Sequence, residues 1–169
     1  MKLANDFRIN KKLYKKGEDI PGFFVYPFFL LHMGVFGFFT TLAAYGAPVD
    51  SYLPLFAFGT ITVVIYLVFY LYIFGRDEVS WIFINAGLGL FGILAQIDWL
   101  LALFDRSVDD YPIRVHAVPV VYYVLYTFLL RQALLDLFKV SQFPERTQKV
   151  ASGYIGVSLM VYGSLYLLT

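Results

Sequence analysis

Five long apolar runs, each about the length needed to cross a lipid bilayer, constrain what this chain can fold into. They cover residues 22–46, 53–75, 80–104, 118–140 and 151–169, and a helix of ~20 apolar residues spans the hydrocarbon core. Hydrophobic residues fill 60% of the 169 positions and charged ones 15%, a balance that the interior of a water-soluble domain of this length cannot hide. No water reaches the bilayer core, so a spanning segment must satisfy its backbone hydrogen bonds internally, and helices do so. The expected fold class is an all-α integral membrane protein, a single bundle of five transmembrane helices within residues 21–169. The last run is short and rich in Gly and Ser, so a four-helix version with residues 151–169 packed at the interface is the alternative. The first run exceeds the ~7–15 apolar residues of a cleavable signal sequence and reads as a retained helix.

Charge sets the expected orientation. Lys2, Arg8, Lys11, Lys12, Lys15 and Lys16 crowd residues 1–20, and Arg76, Lys139, Arg146 and Lys149 fall in connections on the same side, whereas the other side holds Arg106 and Arg114. Basic residues near span ends stay cytoplasmic. The N-terminus is therefore expected in the cytoplasm and the C-terminus outside, in a bacterial inner membrane; an organelle inner membrane would give the same pattern. Residues 1–20 read as a basic cytoplasmic segment in which Phe7, Ile9, Leu13 and Tyr14 suit a membrane surface. Trp81, Tyr72 and Tyr154 near the inner interface, with Tyr45, Tyr52, Trp99 and Tyr166 near the outer one, resemble an aromatic belt. Val49-Asp50-Ser51-Tyr52-Leu53-Pro54 and Val108-Asp109-Asp110-Tyr111-Pro112 echo one another in the two outer loops, the pattern of a duplicated hairpin or of two similar interfaces.

Several function classes fall away. With no cysteine there are no disulfides, no thiolate catalysis and no Cys-held metal, and a net charge of +1 offers no field for nucleic acid. No Ser/His/Asp set, H-E-x-x-H motif or P-loop is present. Gly87-Leu88-Gly89-Leu90-Phe91-Gly92 matches G-x-G-x-x-G formally, but dinucleotide binding needs a preceding strand, and this string lies inside an apolar run. Asn85, Gly89, Gly92 and Gln96 instead share one helical face, a small and polar seam suited to close helix packing. Gly153, Gly156 and Gly163 give the last run a matching small face.

An ionisable group at the centre of a span costs ~2.5–3.5 kcal/mol on insertion scales, so each one requires a reason. His32, Asn85 and Arg131 fall at roughly comparable depth, ~15, ~8 and ~13 Å from the inner ends of their helices at ~1.5 Å per residue. With Gln96 and Asp98 they form the candidate intramembrane polar cluster. Arg131 shares a helical stripe with Tyr123 and Thr127, but its partner is not evident: Asp98 lies much nearer the outer end, and Asp136 is off the best contact spacing. His32 and His116 differ in depth, which argues against bis-histidine haem ligation, and no cofactor is expected. Asp105, Asp109 and Asp110 with His116 make a weak candidate cation site in an outer loop that otherwise reads as solvated.

Three functions compete on these features. A non-catalytic accessory, assembly or scaffold subunit fits the few buried ionisable groups and the small-residue seams, with membrane lipid and other membrane subunits, or a second copy, as partners. A small oligomeric transporter or channel would use His32, Asn85 and Arg131. A membrane enzyme or cofactor carrier would use the outer Asp109, Asp110 and His116.

Overall fold

The computed structural model describes residues 2–9, 11–20, 22–46, 52–140 and 142–167, apart from the side chains at positions 9, 23, 24, 52 and 55. Helices dominate it: α1 (Gly22–Gly46), α2 (Tyr52–Phe74), the single-turn α3 (Arg76–Val79), α4 (Trp81–Ala102), α5 (Ile113–Leu137) and α6 (Thr147–Tyr166). Four stretches, Val25–Gly46, Phe56–Phe74, Arg76–Ala102 and Ile113–Leu137, are long and apolar enough to cross a membrane. α6 has 20 residues, but Gln148, Lys149 and its interspersed serines and glycines dilute its apolarity and leave it outside that group. The first half of the outer-loop echo, Val49-Asp50-Ser51, lies outside the described residues, as does the side chain of Tyr52.

Two helices begin earlier than their apolar runs suggest. α5 starts at Ile113 and takes Arg114 and His116 into its first turns, directly after Pro112, which caps it in extended backbone. α6 starts at Thr147, fed by a 3₁₀ turn over Pro144–Arg146. Hydropathy marks where charge ends, whereas the backbone cap marks where a helix starts.

α5 is the centre of the bundle. Its most apolar stretch is 56% buried within the chain, against 17% for α1 and 22% for α2, and it packs against α1, α4 and α2. An aromatic column joins the elements: Tyr70 lies 5.0 Å from Phe128, Phe74 lies 5.6 Å from Phe128, and Phe29 of α1 packs edge-on to Tyr66 and Tyr70. Tyrosines direct their hydroxyls to helix carbonyls, the buried Tyr70 to Leu125 at 3.3 Å and the exposed Tyr166 to Phe91 at 2.7 Å. A helix carbonyl has a second lone pair to accept them. α6 packs mainly along α4 and only lightly on α5.

Residues 2–20 are folded onto the bundle. Two short antiparallel strands, β1 (Phe7–Ile9) and β2 (Lys12–Tyr14), pair Phe7 with Tyr14 and turn at Lys11, which has a positive φ of 69°. The Ala4 amide donates to the Ile73 carbonyl at 2.9 Å, the Asn5 side chain to the Tyr72 carbonyl at 2.9 Å, and the Tyr72 hydroxyl to the Asp6 carbonyl at 2.6 Å. The first two bonds satisfy carbonyls that the end of α2 leaves without an intrahelical partner. Gly75 then turns the chain with φ of 85°, a conformation that favours glycine, and its bare Cα lets Ala4 approach closely. Of the apolar residues expected at a membrane surface, Phe7 and Tyr14 pack against Leu3, Ile20, Val25 and Ile73, while Leu13 is exposed.

Candidate functional site

Arg131 is the largest fully buried side chain among the described residues, held by α5 only 1% exposed. Its Nη1 donates to Glu78 Oε2 at 3.0 Å, and Gln132 Nε2 donates to the same oxygen at 2.9 Å. The guanidinium carbon lies 3.7 Å from the centroid of the Trp81 ring, close enough for a cation–π contact. α3 makes this possible: it folds the short link between α2 and α4 so that Glu78 faces α5 while its carboxylate stays 43% exposed. Arg131 is therefore buried in its stem, paired at its head and stacked on an aromatic face. One turn beyond Trp81, Asn85 is also 1% exposed, and neither of its amide atoms has a hydrogen-bond partner among the described residues.

The other polar residues singled out in the sequence have separate partners. His32 Nδ1 is hydrogen-bonded to the Tyr66 hydroxyl between α1 and α2, and its ring lies between Phe28 and Phe36. Gln96 donates to the Tyr123 hydroxyl at 3.1 Å, and Tyr123 is hydrogen-bonded in turn to Tyr162 of α6. Asp98 accepts from the Val108 amide at 2.9 Å and the Ser107 hydroxyl at 3.2 Å. The five thus divide into four local contacts and one unpartnered amide.

At the opposite end from the hairpin, Asp98 organises the α4–α5 connection. Ser107 and Asp110 cap a 3₁₀ turn over Val108–Asp110, and Arg106 donates to the Tyr111 hydroxyl at 2.7 Å, a bond that holds the guanidinium pKa above its ordinary value. His116 is 8% exposed and shares a 2.8 Å hydrogen bond with the Tyr45 hydroxyl. Among the described residues no group of three or more His, Asp or Glu side chains is placed to hold a metal ion, and His116 is engaged by Tyr45. The spacing brought Asp105, Asp109, Asp110 and His116 close along the chain, but α5 begins early enough to turn His116 toward α1. Asp98→Ala is expected to cost ~1.5–3 kcal/mol, the range for a hydrogen bond to a charged group. Unfolding of the detergent-solubilised protein measures it, and an unchanged midpoint would show that the turn holds without this carboxylate.

The two glycine faces differ in use. A Cβ at Gly89 would lie 3.3 Å from Val124, and one at Gly92 would run into the Tyr162 ring, so α5 and α6 occupy the seam on α4. At Gly153, Gly156 and Gly163 a Cβ would meet nothing within 4 Å. No family model, curated protein or solved structure shows significant similarity to this chain. The residues themselves carry the functional reading.

A lateral groove opens where α6 stands away from α5. Its volume is about 870 Å³, with walls of Tyr126, Leu130 and Leu134 on α5 and Val157 and Val161 on α6, and with Arg146 and Lys149 at one end. A second cavity of about 520 Å³ shares Gln96, Tyr123, Tyr126 and Val161 with it and continues toward Trp99 and Leu100. Sequence pattern gave no sign of this groove, because it arises from how α6 leans on α4.

Proposed function

We propose that this chain is a non-catalytic, membrane-embedded subunit that joins a larger assembly through the outward face of α6, with its N-terminus in the cytoplasm. The observation that carries the reading is the open space over Gly153, Gly156 and Gly163, in contrast to the filled seam on α4. In lipid, small residues allow two helix backbones to approach closely. A face of this kind with nothing against it is suited to a helix of another membrane chain or of a second copy.

Embedding is supported by what the bundle leaves outside. Phe58, Ile61, Val64 and Val68 make an exposed apolar stripe on α2, and Met160 and Val157 are exposed on α6. Water would penalise such continuous apolar surface, whereas hydrocarbon accepts it. The excess of Lys and Arg at the hairpin end supports a cytoplasmic placement for that end, in a bacterial inner membrane or an organelle membrane with the same charge rule.

The chain has no cysteine, so one introduced thiol is a unique cross-linking handle. Met160→Cys, beside the glycine face, is expected to give an adduct of defined larger mass in native membranes, and Phe58→Cys on α2 is expected to give none. Adding Gly156→Leu should abolish the adduct while the bundle stays folded, because the new side chain enters open space. Equal cross-linking from both cysteines, or from neither, would remove the assembly reading.

A further inference from the structure

We infer that the groove between α5 and α6 binds one anionic phospholipid, its phosphate at Arg146 and Lys149 and an acyl chain lying along the groove. This rests on the membrane reading above; of the glycine face only Gly153 borders the groove, whereas Gly156 and Gly163 lie outside it.

The groove is built for a molecule with one charged end. Its volume of about 870 Å³ lies within the ~300–1,000 Å³ usual for ligand sites. From Lys149 to Leu165 it follows α6 for ~24 Å at ~1.5 Å per residue, through both cavities. The polar groups along the way are engaged within the protein. Gln96, Tyr123 and Tyr162 are hydrogen-bonded in series, the Thr127 hydroxyl donates to the Val124 carbonyl, and the Tyr154 hydroxyl donates to the Thr127 carbonyl. What remains facing the groove is chiefly apolar, which suits a hydrocarbon chain and offers a polar substrate few partners.

Charge is confined to one end. Arg146 is held at the mouth, its guanidinium 4.2 Å from the Phe143 ring centroid and its Nη1 donating to the Phe138 carbonyl at 3.4 Å. That leaves most of its five N–H donors for a ligand. Lys149 stands three residues on, on the same side of the first turn of α6. No side chain caps the start of this helix, so the positive end of its dipole adds to the two cations. No carboxylate lines the groove among the described residues, and Glu145 in the same turn is exposed outside it. Both cations lie at the end of the bundle that carries the basic hairpin, the level at which phosphates of the cytoplasmic leaflet sit under this reading. A second protein chain would find two cations facing it with no acidic partner assigned, whereas a phospholipid supplies both the apolar length and the charge.

The test uses the full chain in detergent, titrated separately with phosphatidylglycerol and phosphatidylcholine carrying identical chains, with bound lipid counted by native mass spectrometry. The anionic lipid is expected to bind about tenfold to thirtyfold more tightly, as two nearby cations would give. Arg146→Gln with Lys149→Gln should erase that preference while leaving chain binding, and Val157→Trp should block both lipids. Glycerol phosphate, which has the headgroup charge and no chain, should not compete. Equal binding of the two lipids, or a preference that survives the double substitution, would overturn the proposal. So would binding indifferent to Val157→Trp, which would place the lipid elsewhere on the surface. Carbonate-resistant membrane fractionation tests embedding separately, so a chain that stays with the membrane but shows no headgroup preference loses the lipid site alone.

Discussion

Glu78→Ala is expected to destabilise the bundle by ~3 kcal/mol, near the lower end of the ~3–5 kcal/mol seen when one partner of a buried ion pair is removed. The loss arises at Arg131, which stays 1% exposed with a charge that no carboxylate then offsets. Gln132 loses its acceptor in the same step. The 43% exposure of Glu78 places the value at the lower end, because water already screens part of the pair. The reverse substitution behaves differently. Arg131→Met removes the buried charge itself, and the half-exposed carboxylate turns to water, so the expected cost is ~1 kcal/mol, chiefly the stacking on Trp81. Combining the two changes should cost about as much as Arg131→Met alone, a strongly non-additive cycle. Equilibrium unfolding in mixed micelles measures all three, and equal losses from the two single variants would show that the buried charge is not the origin.

Gly92→Ala is expected to be the most damaging single methyl in the chain, at ~1–3 kcal/mol for overpacking a filled interface. The added carbon would meet the Tyr162 ring near its base, where rotating the far edge cannot relieve the contact. Tyr162 is 5% exposed and hydrogen-bonded to Tyr123, so displacing it disturbs a polar link from α5 to α6. A larger residue at this position, Gly92→Leu, should detach α6 from α4 altogether. Protease protection of α6 in the solubilised protein distinguishes the two, since the bundle of α1, α2, α4 and α5 does not depend on this contact. Gly92→Leu with full protection of α6 would mean that the seam is not where α6 is held.

Helices and the small seam on α4 were legible because both follow from local residue type: apolar runs of bilayer length for the first, and Gly89 and Gly92 at helical spacing for the second. The partner of Arg131 was not. Depth along a straight helix compared Arg131 with Asp98 and Asp136, but Glu78 reaches it from a link that the pattern treats as loop, and only the turn at Gly75 and the fold of α3 bring it back. A buried arginine with two acids in the adjoining connection at the same end was the available signal. Depth alone groups His32, Asn85 and Arg131, and depth does not fix azimuth: His32 faces Tyr66 on α2 while Arg131 faces α3. Residues 2–20 were the least legible part, because the carbonyls they satisfy lie at Tyr72 and Ile73, far along the chain.

That last separation matters while the protein is being made. Ala4 and Asn5 bond to acceptors that follow them by some 67 residues, so the hairpin cannot settle until α1 and α2 have both left the ribosome. Until then Lys2, Arg8 and the four lysines between positions 11 and 16 belong to a segment that lacks the contacts later holding it against the end of α2. Once α2 arrives, the same segment is clasped to its end. Closure of this stretch is therefore a late event in synthesis, set by the chain length between its donors and their acceptors.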